Sequence, residues 1–163
     1  DNNPVIFIEH RWLHNLFGNV PEESYTVPIG KANVVREGKD VSIVTFSVMV
    51  GKALDAAKQL AEEGIEAEII DLRTIRPLDV ETIINSVKKT NRIVTVEEGW
   101  PTCGIGSEIS SVVTEEAFDF LDAPVKRVAG VDVPMPYAAN LEKLALPQTS
   151  DIVSAAKLVC YRS

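Results

Sequence analysis

The sequence predicts an α/β fold in three layers, a mostly parallel sheet with helices on both faces. Short β-branched segments alternate with amphipathic helical segments along residues 41–159. The connections are short, an arrangement in which consecutive strands run parallel and helices cover the sheet. The chain has 163 residues, of which 45% are hydrophobic, so it suffices for one ordinary domain with one core of single-domain size.

The N-terminal part of the chain is less regular than the rest. Val5–Ile8 is a short apolar run that predicts a buried strand, and residues 11–28 have the composition of a connection. A further strand is expected at Lys31–Arg36. Since the first residue is Asp1 rather than Met, we expect the chain to be processed or to be a piece of a longer protein.

The regular alternation begins with a strand and a helix. Val41–Phe46 is β-branched and largely apolar, which is typical of a buried parallel strand. Apolar residues then recur at three- and four-residue steps from Val50 to Ala61 and predict a helix. Gly64 is expected to end this helix in a left-handed conformation. The next strand is expected at Glu66–Leu72.

The second half of the chain continues the same alternation. Asp79 is a plausible N-cap because an aspartate accepts hydrogen bonds from the first free backbone N–H groups of a helix. The remaining elements are expected, in order, as a helix at 80–87, a strand at Arg92–Glu97, a helix near 107–117, a strand at Val125–Val128 and a helix capped by Thr149–Asp151.

Charge and composition exclude several classes of partner. The chain has 16 Lys and Arg against 24 Asp and Glu, a formal net charge of -8. Such a surface repels phosphate backbones, so we expect no nucleic acid partner and favour a basic protein. No apolar run approaches the roughly 18 residues that span a membrane, so no membrane is expected either. Cys103 and Cys160 are expected to be free thiols in a reducing compartment.

A glycine-rich turn is the first candidate site. Gly104–Ser107 follows a predicted strand and opens a predicted helix, as in sites that bind a pyrophosphate at a positive helix end. The third glycine of that pattern is missing, since Ile109 occupies its place. The alternative is a tight turn that packs a helix against the sheet, with Glu108 complementing the helix dipole.

The other candidate residues do not converge on an active site. Glu97 and Glu98 could be an acid/base pair, but neighbouring strand residues point to opposite faces. His10 and His14 are four residues apart, yet no acidic or cysteine partner at matching spacing completes a metal site. Cys103 near a helix start is a candidate for a lowered pKa. These residues favour a binding or assembly domain over a self-sufficient enzyme.

Two loops carry large rings. Trp100 lies beside Pro101, and Met135–Tyr137 belongs to a proline-rich stretch. Aromatic residues in loops often mark interfaces. The alternative is that each ring folds over an edge of the sheet.

Several segments together resemble one family closely. They are Pro28–Ala32, Asp71–Asp79, Ile93–Pro101, Gly104–Ile109 and Phe120–Pro124 continuing to Asp132–Tyr137. In this order they are similar to the C-terminal domain of the beta subunit of the pyruvate dehydrogenase E1 component. That domain belongs to the transketolase C-terminal superfamily, and the resemblance runs from about Pro4 to the end of the chain.

The resemblance implies the chemistry of a larger enzyme. That enzyme uses thiamine diphosphate and magnesium to decarboxylate a 2-oxo acid, with pyruvate expected, and reductively acylates lipoyl groups on the E2 component. Its cofactor site lies between the alpha subunit and the N-terminal domain of the beta subunit. The resemblance therefore assigns residues 1–28 to a connection from a missing thiamine-binding domain and residues 29–163 to a transketolase C-terminal-like domain. It implies no catalytic, cofactor-binding or metal-binding residue in this chain, which is expected to be inactive alone.

The resemblance also implies partners and a compartment. The expected partners are the E1 alpha subunit, a second beta subunit in a heterotetramer, and the subunit-binding domain of the E2 dihydrolipoyl acyltransferase. The family's docking carboxylate corresponds to Asp122, which would form a charge-assisted bond with a basic residue of E2. The alternative is that Asp122 caps the turn before Pro124. The implied compartment is the mitochondrial matrix or the bacterial cytoplasm.

Two other functions stay open from the sequence. One is a stand-alone nucleotide- or phosphate-binding domain that uses Gly104–Ser107. The other is the same domain from an acetoin or branched-chain 2-oxoacid dehydrogenase.

Overall fold

A computed structural model describes residues 2–162, and these residues form one five-stranded sheet with helices on both faces. The strands are β1 (Asn33–Arg36), β2 (Val41–Thr45), β3 (Ala67–Asp71), β4 (Ile93–Val96) and β5 (Lys126–Val128). The α-helices are α1 (Met49–Glu62), α2 (Val80–Thr90), α3 (Ile105–Ala117), α4 (Ala139–Ala145) and α5 (Thr149–Val159). Two 3₁₀ turns lie at Arg11–Asn15 and Phe118–Phe120.

The strands are ordered β1-β3-β2-β4-β5 across the sheet. The pairs β2–β3, β2–β4 and β4–β5 are parallel, whereas β1 runs antiparallel to β3 at one edge. The mostly parallel three-layer fold is therefore confirmed. Because β4 and β5 are neighbours, residues that precede these two strands meet at the same edge of the sheet.

Two apolar clusters hold the layers together. Successive residues of a strand point to opposite faces, so Ile43 and Ile69 join the cluster under α1 and α5. Val44 and Ile70 join the second cluster, under α2 and α3. These strand side chains are essentially inaccessible to solvent, and burying each one stabilises the fold by about 1.5–3 kcal/mol.

The N-terminal strand prediction is wrong. Residues Val5–Ile8 have no strand pairing, and all four side chains are exposed, between 57% and 88%. An apolar run becomes a buried strand only when a neighbouring strand and a covering layer are available. Here β1 takes the edge position beside β3, so Val5–Ile8 stays at the surface.

The sequence also mispredicted elements near the C-terminus. It gave no helix where α4 lies, because the segment follows a proline-rich stretch. The N-cap of α5 is Gln148 rather than Thr149–Asp151. Asp151 contributes through a capping box, in which its carboxylate accepts a 2.7 Å hydrogen bond from the Gln148 backbone N–H.

Asp79 caps α2 as the sequence predicted. Its carboxylate accepts hydrogen bonds from the Thr82 backbone N–H at 3.3 Å and the Thr82 hydroxyl at 2.8 Å. It also accepts one from the Ala32 backbone N–H at 2.8 Å, and so ties the segment before β1 to the helix. Burial raises the pKa of Asp79, but these bonds and the nearby Lys31 ammonium outweigh it and hold the pKa below its ordinary value.

Replacing Asp79 by alanine is expected to lower the free energy of unfolding by about 1 kcal/mol at pH 7. A depressed folded-state pKa contributes stability above the unfolded value of 3.8 and loses it as the pH falls through the folded value. The gap between wild type and Asp79→Ala should therefore narrow in acid. Urea denaturation of both proteins at pH 7 and pH 3 measures this difference in the free energy of unfolding. The same difference at both pH values would contradict the role of the Asp79 carboxylate.

Candidate functional site

Glu97 lies just beyond β4 with its carboxylate under the first turn of α3. The side chain is almost fully buried. Its Oε2 accepts a 3.0 Å hydrogen bond from the Ile105 backbone N–H, and its Oε1 accepts one of the same length from Gly106. The guanidinium of Arg127, on β5, lies 3.7 Å from Oε1. The carboxylate thus occupies the positive end of the helix, where an anion is stabilised.

Two glycines give the carboxylate its room. A Cβ at Gly104 would lie 2.6 Å from Glu97 Oε1. A Cβ at Gly106 would lie 2.6 Å from the Thr95 hydroxyl oxygen and 2.8 Å from the same carboxylate oxygen. In a nucleotide site, glycines let a phosphate approach the backbone closely. Here the carboxylate of Glu97 takes that place beside Gly104 and Gly106.

This geometry contradicts nucleotide or phosphate binding at Gly104–Ser107. The backbone N–H groups of Ile105 and Gly106, which would bind a phosphate, are taken by Glu97. An incoming phosphate would also meet a buried negative charge. The alternative, a turn that packs α3 against the sheet, is the one observed.

The other polar candidates are separated. As the sequence predicted, the side chains of Glu97 and Glu98 do not converge. Glu98 Oε2 instead lies 3.1 Å from His10 Nε2. His14 lies 3.2 Å from Glu9 instead. Within residues 2–162, no three His, Cys, Asp or Glu side chains are grouped so that they could hold a metal ion. The two histidines are therefore engaged in separate surface pairs.

The two cysteines are free thiols, as predicted. Cys103 is exposed and adopts a left-handed conformation with φ +57°. Cys160 is half-buried at the end of α5, and burial raises the pKa of its thiol. The neutral thiol is therefore favoured at Cys160.

Asp122 lies at the opposite edge of the sheet, in the loop that leads to β5. Its side chain is 54% exposed, and its Oδ2 accepts a 2.9 Å hydrogen bond from Arg92 Nη2. The Asp122 backbone N–H donates to the Asn91 carbonyl, and the Asp122 carbonyl accepts from the Tyr161 hydroxyl, both at 2.8 Å. The carboxylate bonds to Arg92 rather than to the turn before Pro124, so the capping alternative is not supported.

Exposed apolar side chains mark two further surfaces. In the N-terminal segment Ile6, Phe7 and Phe17 are almost fully exposed. In the ring-bearing loops Trp100 and Tyr137 are exposed rather than folded over the sheet. Large apolar side chains exposed together in one segment are typical of interaction sites. No helix within residues 2–162 is long and apolar enough to cross a membrane.

Fold and site together define an α/β domain in which the Glu97 carboxylate occupies the N-terminal end of α3. The model of the family "Transketolase, C-terminal domain" matches residues 30–152. The chain belongs to this family.

Particular relatives refine this assignment. The chain is 61% identical to the mitochondrial pyruvate dehydrogenase E1 component subunit beta-1 of Arabidopsis thaliana, over all of this chain and 46% of the relative. It is 57% identical to the corresponding beta subunit of Rickettsia felis, over all of this chain and 50% of the relative. The resemblance seen in the sequence motifs is confirmed. The chain spans about half the length of these curated relatives.

Solved structures agree with the fold. A split-gene transketolase, described as an inactive beta4 tetramer, matches with a TM-score of 0.74 and 35% identity, over 88% of this chain and 46% of that one. A 2-oxoglutarate:ferredoxin oxidoreductase from Magnetococcus marinus shares the fold at 15% identity, with a TM-score of 0.53 over 80% of this chain and 19% of that one.

Proposed function

We propose that the chain is the C-terminal, transketolase-like domain of a pyruvate dehydrogenase E1 beta subunit, and that it serves subunit assembly and docking of E2. The identity to E1 beta subunits over the whole chain supports the first part. The observation that carries the second part is Asp122, a half-exposed carboxylate held in place by three neighbouring residues. Residues 1–28 would connect this domain to a thiamine-binding domain.

Thiamine diphosphate and magnesium are the cofactors proposed for the parent enzyme, where they supply the decarboxylation of pyruvate before the lipoyl group of E2 is acylated. The groups described within residues 2–162 at the N-terminal end of α3 do not fit them. The N-terminal N–H groups of α3 are taken by Glu97, and residues 2–162 contain no grouped set of metal ligands. We therefore place the cofactors on other parts of the parent enzyme.

The proposed assembly partners are an alpha subunit and a second beta subunit. The exposed apolar side chains of the N-terminal segment and of the ring-bearing loops support them, because contacts between subunits would bury these side chains. The proposed compartment is the mitochondrial matrix or the bacterial cytoplasm, since the relatives include a mitochondrial protein of Arabidopsis thaliana and a protein of the bacterium Rickettsia felis.

The proposed E2 partner is its basic subunit-binding domain. A carboxylate that accepts a hydrogen bond from an arginine or lysine of the partner makes a short and directional contact. Oδ2 of Asp122 already bonds to Arg92, while Oδ1 accepts no hydrogen bond within residues 2–162. Oδ1 is therefore the atom that we assign to the partner.

Replacing Asp122 by alanine is expected to weaken binding of the E2 subunit-binding domain by about 2 kcal/mol, near the lower end for a buried interfacial charge because this carboxylate is half-exposed. Isothermal titration calorimetry of the assembled E1 measures the change. Asp119→Ala is the matched control, since Asp119 is also an exposed aspartate and lies three residues away. Undiminished binding by Asp122→Ala would remove this residue from the docking site.

Two further experiments test whether the chain comes from a pyruvate dehydrogenase E1 beta subunit rather than from a related dehydrogenase. The reading frame upstream of the codon for Asp1 should encode a thiamine-site domain. The enzyme assembled with its alpha subunit should oxidise pyruvate in preference to acetoin and branched-chain 2-oxo acids. A preference for one of the others would assign the chain to that dehydrogenase instead.

A further inference from the structure

The end of α5 has an unusual residue at a position that normally favours glycine. Tyr161 has φ +54°, in the left-handed region that bulky side chains rarely adopt. The Tyr161 backbone N–H donates to the Leu158 carbonyl and the Arg162 N–H donates to the Lys157 carbonyl. This is the Schellman motif, whose left-handed position is most often glycine. A tyrosine there is strained unless its side chain makes contacts that outweigh the strain.

The side chain of Tyr161 contacts the proposed docking residue. Its hydroxyl donates a 2.8 Å hydrogen bond to the Asp122 carbonyl oxygen, across 39 residues of sequence. The residue nevertheless remains 71% exposed. The contact therefore leaves most of the side chain open to a partner.

Asp122 is consequently held on three sides. The Asn91 carbonyl accepts a hydrogen bond from the Asp122 backbone N–H. The Tyr161 hydroxyl donates one to the Asp122 carbonyl, and the Arg92 guanidinium donates one to Oδ2. The Asn91 side chain also donates a 2.8 Å hydrogen bond to the Phe120 carbonyl, which fixes the preceding turn. A loop held in this way presents Oδ1 in one orientation, and such preorganisation lowers the entropic cost of binding.

We propose that Tyr161 belongs to the docking surface: its hydroxyl positions the Asp122 loop, and its exposed ring packs against the basic partner. This inference rests on the docking function proposed above. Tyrosine is enriched among the residues that dominate interface energetics. An arginine of the partner that reaches Oδ1 can also stack on a neighbouring aromatic ring, which lysine does less well.

Two substitutions of Tyr161 separate the hydroxyl from the ring. Tyr161→Phe keeps the ring and is expected to weaken binding of the E2 subunit-binding domain about fivefold, the value of one neutral hydrogen bond. Tyr161→Gly removes the ring as well and is expected to weaken binding more than tenfold. Glycine fits the left-handed conformation, so the melting temperature of Tyr161→Gly should not fall. Calorimetry on the assembled E1 gives the affinities, and thermal denaturation gives the stabilities.

The controls distinguish this inference from the function on which it depends. Tyr25→Phe and Tyr25→Gly are matched controls, because Tyr25 is also exposed and lies in the N-terminal segment; their affinities should equal that of wild type. Wild-type affinity in both Tyr161 variants, with Asp122→Ala weakened, would overturn the role of Tyr161 and leave the docking function standing. Losses of affinity that only follow losses of stability would overturn it as well. Wild-type affinity in the Tyr161 and Asp122 variants together would remove both proposals.

Discussion

Glu97→Ala is expected to lower the free energy of unfolding by about 4 kcal/mol, in the range for breaking a buried ionic contact. The substitution leaves the N–H groups of Ile105 and Gly106 without an acceptor inside the protein. It also removes the carboxylate that faces the Arg127 guanidinium, 3.7 Å away. Urea denaturation followed by circular dichroism measures the loss. A loss below 1 kcal/mol would show that the carboxylate is dispensable for α3.

A small anion should partly replace the missing side chain in Glu97→Ala. The substitution exposes two N–H groups at a positive helix end, beside glycines that leave space for an anion. Formate is therefore expected to raise the melting temperature of Glu97→Ala more than that of wild type, with sodium chloride at equal ionic strength as the salt control. Glu97→Gln keeps the shape and one acceptor, so it should lose less stability and show no formate effect. Equal effects of formate on all three proteins would contradict the interpretation.

The sequence predicted the regular elements where a local pattern determines them. The three- and four-residue spacing from Val50 to Ala61 lies within α1, and the β-branched run at Val41–Phe46 contains β2. The same criterion failed at Val5–Ile8. An apolar run shows that burial of a segment would be favourable but does not show whether a place in the sheet is available for it.

The functional surroundings of Glu97 and Asp122 depend on contacts that no local pattern shows. The sequence places Glu97 at the end of a strand and glycines before a helix. Only the three-dimensional structure shows that the Glu97 carboxylate accepts hydrogen bonds from the first N–H groups of that helix. For Asp122, Arg92 and Tyr161 come from 30 residues before and 39 residues after. They meet because β4 and β5 are neighbours and α5 ends at the same edge. The left-handed conformation of Tyr161 is seen only in the structure, because neither glycine nor asparagine marks that position in the sequence.

The second large effect on stability concerns a polar network between β3 and α2. Glu68 is almost fully buried, and its carboxylate accepts a 2.6 Å hydrogen bond from the Ser86 hydroxyl and is paired with Lys89. The Ser86 hydroxyl is also hydrogen-bonded to the Ser42 hydroxyl, at 2.5 Å. The hydrogen bond from Lys89 to Glu68 is the main cause that raises the pKa of Lys89 above 10.5. The stability from this pairing is therefore present below pH 10.5 and lost as the pH rises through the folded value.

Lys89→Met should cost about 3 kcal/mol at pH 7, the lower end for breaking a buried ion pair because Lys89 is 43% exposed and water reaches it. The loss comes from leaving the Glu68 carboxylate buried without its cation. Glu68→Gln should cost less, because Lys89 can then turn to solvent and still pair with Glu37, 2.9 Å away. The double variant should accordingly be more stable than Lys89→Met alone, since no buried charge remains. Urea denaturation of the three variants tests this order, and a double variant less stable than Lys89→Met would show that the hydrogen bonds of Glu68, rather than its unpaired charge, determine the cost.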